Sequence, residues 1–298
     1  MNYLITGGSG FIGSHLIDRL LKGNNRIIVV DRSIKYQNLP DIKSSKLTIY
    51  HEDIFGKIED LFKEIDVVVH MAALTRPQWS IKYPYETAEV NVLGTIRLLE
   101  LAKDNKVKRF VLLSTSDLYG DTDEYPTSED ALLNPLNGYA LSKMVCEEYC
   151  KLFYKLYGLE YNIIRPFNAY GKRMPLSGYY TSAIAAFINA FEQNKPCHIF
   201  GKGKQRRDFV YIDDIVDMLI KLCTSNVKNE IFNCGFGKNY SINQLYKIFC
   251  KIYGRKAKIK YFPKQFEKKQ TLADISKGYK LLKWKPKIDL GEGLRLII

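Results

Sequence analysis

The chain has few of the residues that bind metals or build disulfide scaffolds. It has four histidines in 298 residues, and its six cysteines are scattered at Cys146, Cys150, Cys197, Cys223, Cys234 and Cys250. No two cysteines are spaced CxxC, so neither a zinc site nor a redox dithiol is expected, and no metal ligand is assigned. Cys146 and Cys150 are one helical turn apart and read as a reduced, buried pair, because cysteine packs as a small hydrophobe. No apolar run approaches the ~20 residues that a membrane span needs. The opening MNYLITGG has no basic segment, apolar core or cleavage site, so no signal peptide is expected and the setting reads as cytoplasmic. Internal repeats and low-complexity linkers are also missing.

Acidic residues are the minority, 32 against 45 Lys and Arg, for a net charge of +13. The excess is concentrated late: from Lys251 onward there are fourteen Lys/Arg and four Asp/Glu. Such a surface suits a solvated lysine face or a field that draws in a pyrophosphate. Tyr253, Tyr261, Phe262 and Phe266 interleave with these charges, but no RNA-recognition signature accompanies them, so nucleic acid is not the expected partner. Hydrophobic residues make up 46% and charged residues 26%, enough apolar content for one large or two modest globular units.

Short β-branched runs alternate with helical patterns through the first half, as in a parallel sheet covered on both faces. Strands are expected at Asn2–Thr6, Arg26–Asp31, Leu47–His51, Val67–His70, Phe110–Ser114 and Tyr161–Arg165. Helices are expected at Ile12–Leu21, Glu86–Asp104 and Tyr139–Tyr157. After Pro166 the pattern loosens, and Phe200–Arg207 reads as a Gly- and Lys-rich loop. The fold class is therefore α/β: a Rossmann-type doubly wound parallel sheet over residues 1–166. A smaller α+β substrate lobe follows over 167–298, with some segments returning to the core.

The strongest local signal is Leu4-Ile5-Thr6-Gly7-Gly8-Ser9-Gly10-Phe11-Ile12-Gly13, a strand entering a glycine turn and then a helix. Gly7, Gly10 and Gly13 let backbone approach a pyrophosphate, toward which the helix points its first N–H groups. Asp31, at the end of the next strand, is placed to accept from ribose hydroxyls and to repel a 2′-phosphate, which favours NAD over NADP. Arg32 beside it weakens that preference. Asp53 and Ile54 follow another strand, where a carboxylate suits the adenine amino group. The small residues after His70 (Met71, Ala72, Ala73) suit backbone that runs close to a cofactor.

Tyr139 and Lys143 are four residues apart and share one helical face. A nearby ammonium stabilises a phenolate that is otherwise a poor base at neutral pH. The segment Leu113-Ser114-Thr115-Ser116-Asp117-Leu118-Tyr119-Gly120 delivers hydroxyls from a strand end, and Thr115 is positioned to share a proton with the same substrate oxygen. Arg207, in the Gly/Lys-rich loop, offers a planar fork to phosphate.

These motifs, with Asn91-Val92-Leu93-Gly94-Thr95, Arg165-Pro166-Phe167-Asn168 and the closing LADIS and LKWKPK, run nearly end to end. The chain resembles the extended short-chain dehydrogenases/reductases that act on nucleotide-sugars. The resemblance implies NAD as cofactor and a triad of Thr115, Tyr139 and Lys143. It adds Phe11, Ile12, Met71, Asn91, Ser114 and Pro166 to the cofactor site. For the substrate it implies Thr75, Thr115, Asn168 and Arg207; many relatives hold the second phosphate with an arginine, for which Lys264, Lys268 and Lys269 are the nearest equivalents here. It also implies a homodimer through the helices around 86–104 and 139–157.

Members of this group oxidise the sugar at C4 and then diverge. A 4-epimerase returns the hydride to the other face, whereas a 4,6-dehydratase needs an acid or base just after the threonine. Ser116 cannot serve there, and Asp117 is one methylene shorter than the glutamate of some dehydratases and decarboxylases. Trp79, Ser80 and the segment Gly178–Ile188 look epimerase-like. The expectation is a 4-epimerase, with dehydration or decarboxylation through Asp117 as the alternative. A non-catalytic NAD- or RNA-binding protein is the reading from another class.

Overall fold

Apolar residues alternate along the early strands so that successive side chains point to opposite sides, and each side needs its own cover. In the computed structural model, which describes residues 1–33, 39, 44–176, 182–264 and 268–298, both sides are covered. The strands are β1 (Asn2–Thr6), β2 (Arg26–Asp31), β3 (Leu47–His51), β4 (Val67–His70), β5 (Arg109–Leu113) and β6 (Tyr161–Pro166), then β7 (Asn168–Tyr170), β8 (Cys197–Phe200), β9 (Arg206–Tyr211), β10 (Glu230–Cys234), β11 (Asn239–Ser241) and β12 (Ile259–Phe262). The helices are α1 (Phe11–Leu21), α2 (Pro77–Lys82), α3 (Pro84–Ala88), α4 (Gly94–Asp104) and α5 (Gly138–Tyr157), then α6 (Ala183–Glu192), α7 (Ile212–Thr224), α8 (Ile242–Tyr253), α9 (Ser276–Leu282) and α10 (Leu290–Arg295).

Seven strands form one parallel sheet in the order β10-β6-β5-β4-β1-β2-β3. Leu4, Ile28, Val68, Leu112 and Ile163 face one core with Leu98, Leu99, Cys146, Cys150 and Phe153 of α4 and α5. Ile5, Val29, Val69, Val111 and Ile164 face the other, with Leu16, Ile17 and Leu20 of α1 and Ile215, Leu219 and Leu222 of α7. Each such fully buried aliphatic side chain contributes roughly 1.5–3 kcal/mol.

The first four expected strands have the observed bounds, and the fifth and sixth differ by a residue at their ends. The expected helix over 86–104 is instead α3, a wider π-type turn at Glu89–Leu93, and α4. One surplus residue in the turn swings Asn91 inward, where its amide bonds both backbone groups of Leu74. The seventh strand, β10, arrives from the late chain and closes the sheet beside β6. Within the expected loop, only residues 201–205 lack strand structure.

The later chain adds a three-stranded sheet, β11-β9-β7, and a parallel pair, β12-β8. Phe187, Phe191, Phe249 and Tyr253 pack edge and face between α6 and α8. Buried Asp208 fastens this part together by accepting from the backbone N–H groups of Phe236, Gly237 and Ala273 at 2.7–3.0 Å.

Candidate active site

The site lies at the carboxyl ends of the parallel strands, where β1 separates the two directions of winding. The β1–α1 turn presses directly on the end of β4. Gly7 has φ +69°, and a Cβ there would sit 2.7 Å from Ala72 N. A Cβ on Gly13 would sit 2.5 Å from Gly7 O. Gly10 caps α1 through backbone alone, leaving the first helical N–H groups without a side-chain acceptor. Asp31 reaches back to this turn, its carboxylate accepting from Ser9 N at 3.0 Å and Ser33 N at 3.2 Å.

A buried polar chain holds the two strand ends in register. Ala72 N–H donates to Thr6 Oγ1, whose hydroxyl lies 2.7 Å from His70 Nδ1. His70 Nε2 lies 2.9 Å from Thr95 Oγ1, and that hydroxyl donates to Asn91 O. The network assigns the proton to Nε2 of a neutral imidazole. Complete burial, followed by the charge of Lys143, holds His70 well below the usual histidine pKa.

Opposite this turn, Asn137 caps α5 by accepting from Ala140 N, and Gly158, in the left-handed region, ends it. The helix buries Tyr139 and Lys143 on its sheet-facing side. The Thr115 hydroxyl, at the end of β5, lies near the Tyr139 phenol. Burial and then the Asp117 carboxylate raise the Tyr139 pKa, and the Thr115 hydroxyl opposes them. Desolvation lowers the Lys143 pKa. Among the described residues no hydrogen bond or ion pair holds the Lys143 ammonium, although its side chain is almost wholly buried. A buried ammonium one helical turn from a phenol, with a glycine turn and a carboxylate at strand ends of the same sheet, fits a ribose diol and a pyrophosphate.

The chain matches the NAD dependent epimerase/dehydratase family over residues 3–235. It belongs to that family. It is 38% identical to a putative UDP-glucose 4-epimerase of Methanocaldococcus jannaschii, over 99% of this chain and 96% of the relative. It is likewise 38% identical to a UDP-glucuronate 4-epimerase of Thermodesulfobacterium geofontis, over 98% and 94%. Among solved structures, UDP-glucuronic acid 4-epimerase from Bacillus cereus, in complex with UDP-glucuronic acid and NAD, superposes with a TM-score of 0.93 at 33% identity, covering 99% of this chain and 97% of that one.

NAD is therefore the cofactor, and the glycine turn, Asp31 and Lys143 are the groups that fit it. Gly13→Ala is expected to weaken NAD binding by at least about tenfold, because the added methyl displaces the Gly7 carbonyl from the turn. Fluorescence titration with NADH checks this, and unaltered affinity would refute the role of the turn.

The remaining expected site residues fall at several depths. Phe11 and Ile12 open α1, and Met71, Ala72 and Ala73 follow β4, both at the glycine turn. Asp53 accepts from Phe55 N at 2.9 Å, and Ile54 is buried against Gly94. Arg32 and Thr75 are exposed. Pro166 ends β6, paired with Cys234. Asn91 spends its amide on Leu74 and on Ser142 of α5. Ser114 donates to Glu147 at 2.5 Å. Asn168, on β7, accepts from the Thr271 hydroxyl, and Arg207 lies on neighbouring β9, donating to Lys268 O at 3.0 Å. Lys264 is exposed beside Gly201, whereas Lys268 reaches Asp117 in the turn after β5. Trp79 donates to Glu86, and Ser80 is buried. Residues 178–181 and Phe266 lie outside the described residues.

Sequence reasoning gave Thr6, His70, Thr95 and Arg165 no role beyond their motifs and passed over Glu147. Glu147 carried a signal, since it stands one turn beyond Lys143 on the same helical face.

Proposed function

We propose that this protein is an NAD-dependent 4-epimerase of a UDP-sugar. The observation that carries the reading is the burial of Tyr139 and Lys143 one turn apart on α5, with the Thr115 hydroxyl near the phenol. Bound NAD supplies the hydride acceptor for sugar C4 and, once reduced, the donor that restores it. Tyr139, as phenolate, takes the proton from the 4-hydroxyl and later returns it. The Lys143 ammonium offsets the negative charge that Tyr139 carries before it takes the proton and after it returns it. Thr115 orients the phenol and shares the oxygen-bound proton. Asn168 and Arg207, on adjacent strands, offer donors to the diphosphate.

Asp117, on which a dehydratase or decarboxylase would depend, is held by Lys268 at 2.8 Å, which favours epimerisation. The intact triad speaks against a non-catalytic binding protein. The same reading divides the chain near residue 166 into a cofactor half and a substrate lobe from which β10 returns. It also pairs two copies through α4 and α5, where Leu93, Leu141, Leu152 and Leu156 are exposed. The six free cysteines suit a cytoplasmic setting, and no helix among the described residues is long and apolar enough to cross a membrane.

Incubation with NAD and single UDP-hexoses is expected to give a product of unchanged mass with inverted C4, read by NMR and mass spectrometry. Loss of water or carbon dioxide would replace the epimerase by a reaction through Asp117.

A further inference from the structure

The segment after Lys268 runs beside β9 and brings a buried hydroxyl to the start of β7. Arg206 N–H donates to Lys269 O at 3.0 Å, and Thr271 N–H donates to Arg206 O at 3.1 Å. The Asn239 amide donates to Thr271 O at 3.2 Å. Thr271 is therefore fixed by its backbone to the strand that carries Arg207, and it is buried there.

A single hydrogen decides what this hydroxyl does. Thr271 Oγ1 accepts from the Asp208 backbone N–H at 3.0 Å and lies 3.1 Å from Asn168 Oδ1. A hydroxyl has one hydrogen to give, and here the carboxamide oxygen takes it. Turning the Asn168 amide over would put its NH2 against Oγ1 and strand the hydroxyl hydrogen in a buried place. The network thus fixes which end of the amide is which: Oδ1 faces Thr271, and the two hydrogens of Nδ2 point away from it. Among the described residues no protein acceptor takes either hydrogen. Asn168 itself is half-buried, two residues beyond β6, at the carboxyl ends of the parallel strands where the glycine turn also lies.

Resting on the UDP-sugar reading, we propose that Thr271 is a positioning residue that holds the Asn168 carboxamide with its NH2 group presented to the substrate diphosphate. The held amide offers donors to a group that only accepts, whereas a flipped one would set oxygen against oxygen. Alignment before the substrate arrives spares the cost of ordering the side chain on binding.

The test reads UDP binding to the NAD-loaded protein by calorimetry, beside steady-state kinetics on UDP-glucose. Thr271→Val keeps the shape and removes the hydroxyl; it is expected to weaken UDP about tenfold and to raise KM similarly, with kcat within about twofold. Thr271→Ser, which keeps the hydroxyl, is expected to restore affinity to within about threefold. Thr271→Val also deprives the Asp208 N–H of its acceptor, so a lower melting temperature is expected from it. A double-mutant cycle with Asn168→Ala isolates the part that runs through the amide: in that background Thr271→Val is expected to change UDP affinity by less than about twofold. Equal UDP affinity of the wild type and Thr271→Val, or a loss that persists in full in the Asn168→Ala background, would overturn the proposal. A loss seen only when Asn168 is present, with no inversion at C4, would overturn the epimerase reading and leave the role of Thr271 standing. A wild type that binds no UDP would overturn both.

Discussion

Replacing Tyr139 with phenylalanine is expected to lower turnover about a thousandfold while leaving the melting temperature and NAD affinity near wild type. The ring itself is buried, so its removal would open a cavity; the phenol oxygen alone carries the proton. Burial makes that oxygen hold its proton tightly, and the carboxylate of Asp117 adds to the effect. On the proposed reading, positive charge supplied by Lys143 helps to release it. Phenylalanine keeps the shape and removes the base. Steady-state kinetics beside thermal denaturation and NADH titration separate these contributions. Turnover within tenfold of wild type would move the proton transfer to another group.

Glu147→Ala is expected to cost about 3–5 kcal/mol and to lower the melting temperature by roughly 10 °C. Glu147 and Arg165 are both almost completely buried and bond in bidentate fashion, at 2.9 Å through Nε and 2.6 Å through Nη2. Ser114 donates to the same carboxylate, and Arg165 continues to the Tyr119 hydroxyl, which reaches Asn233 on β10. Deleting the acid leaves a guanidinium sealed from water with its charge uncompensated. The double variant Glu147→Met with Arg165→Met is expected to recover most of the loss, since neither charge then remains buried. A single variant as stable as the wild type would show that water relieves the arginine.

The parts of the fold set by local pattern were legible. β1 to β4 could be bounded because each is a short apolar run ending at a polar residue, and the glycine turn because its spacing has one geometric use. Tyr139 and Lys143 could be paired because four residues make one turn of helix. What depends on distant contacts was not legible. The break at Glu89–Leu93 is stabilised by Asn91 gripping Leu74, seventeen residues away. Lys268 meets Asp117 across 151 residues, and nothing near either one announces the other. The sequence ranked Lys264, Lys268 and Lys269 together, whereas the structure sends the ammonium of Lys268 to Asp117.

The arrival of β10 from so late in the chain also bears on synthesis. Until about residue 234 has emerged, β6 is an open edge, although all six of its residues are buried in the finished fold. A nascent chain of that length exposes an unpaired apolar strand of the kind that pairs with neighbours. The seventh strand is thus also a stopper, and the interval before it is made is when the growing polypeptide most needs a chaperone's cover.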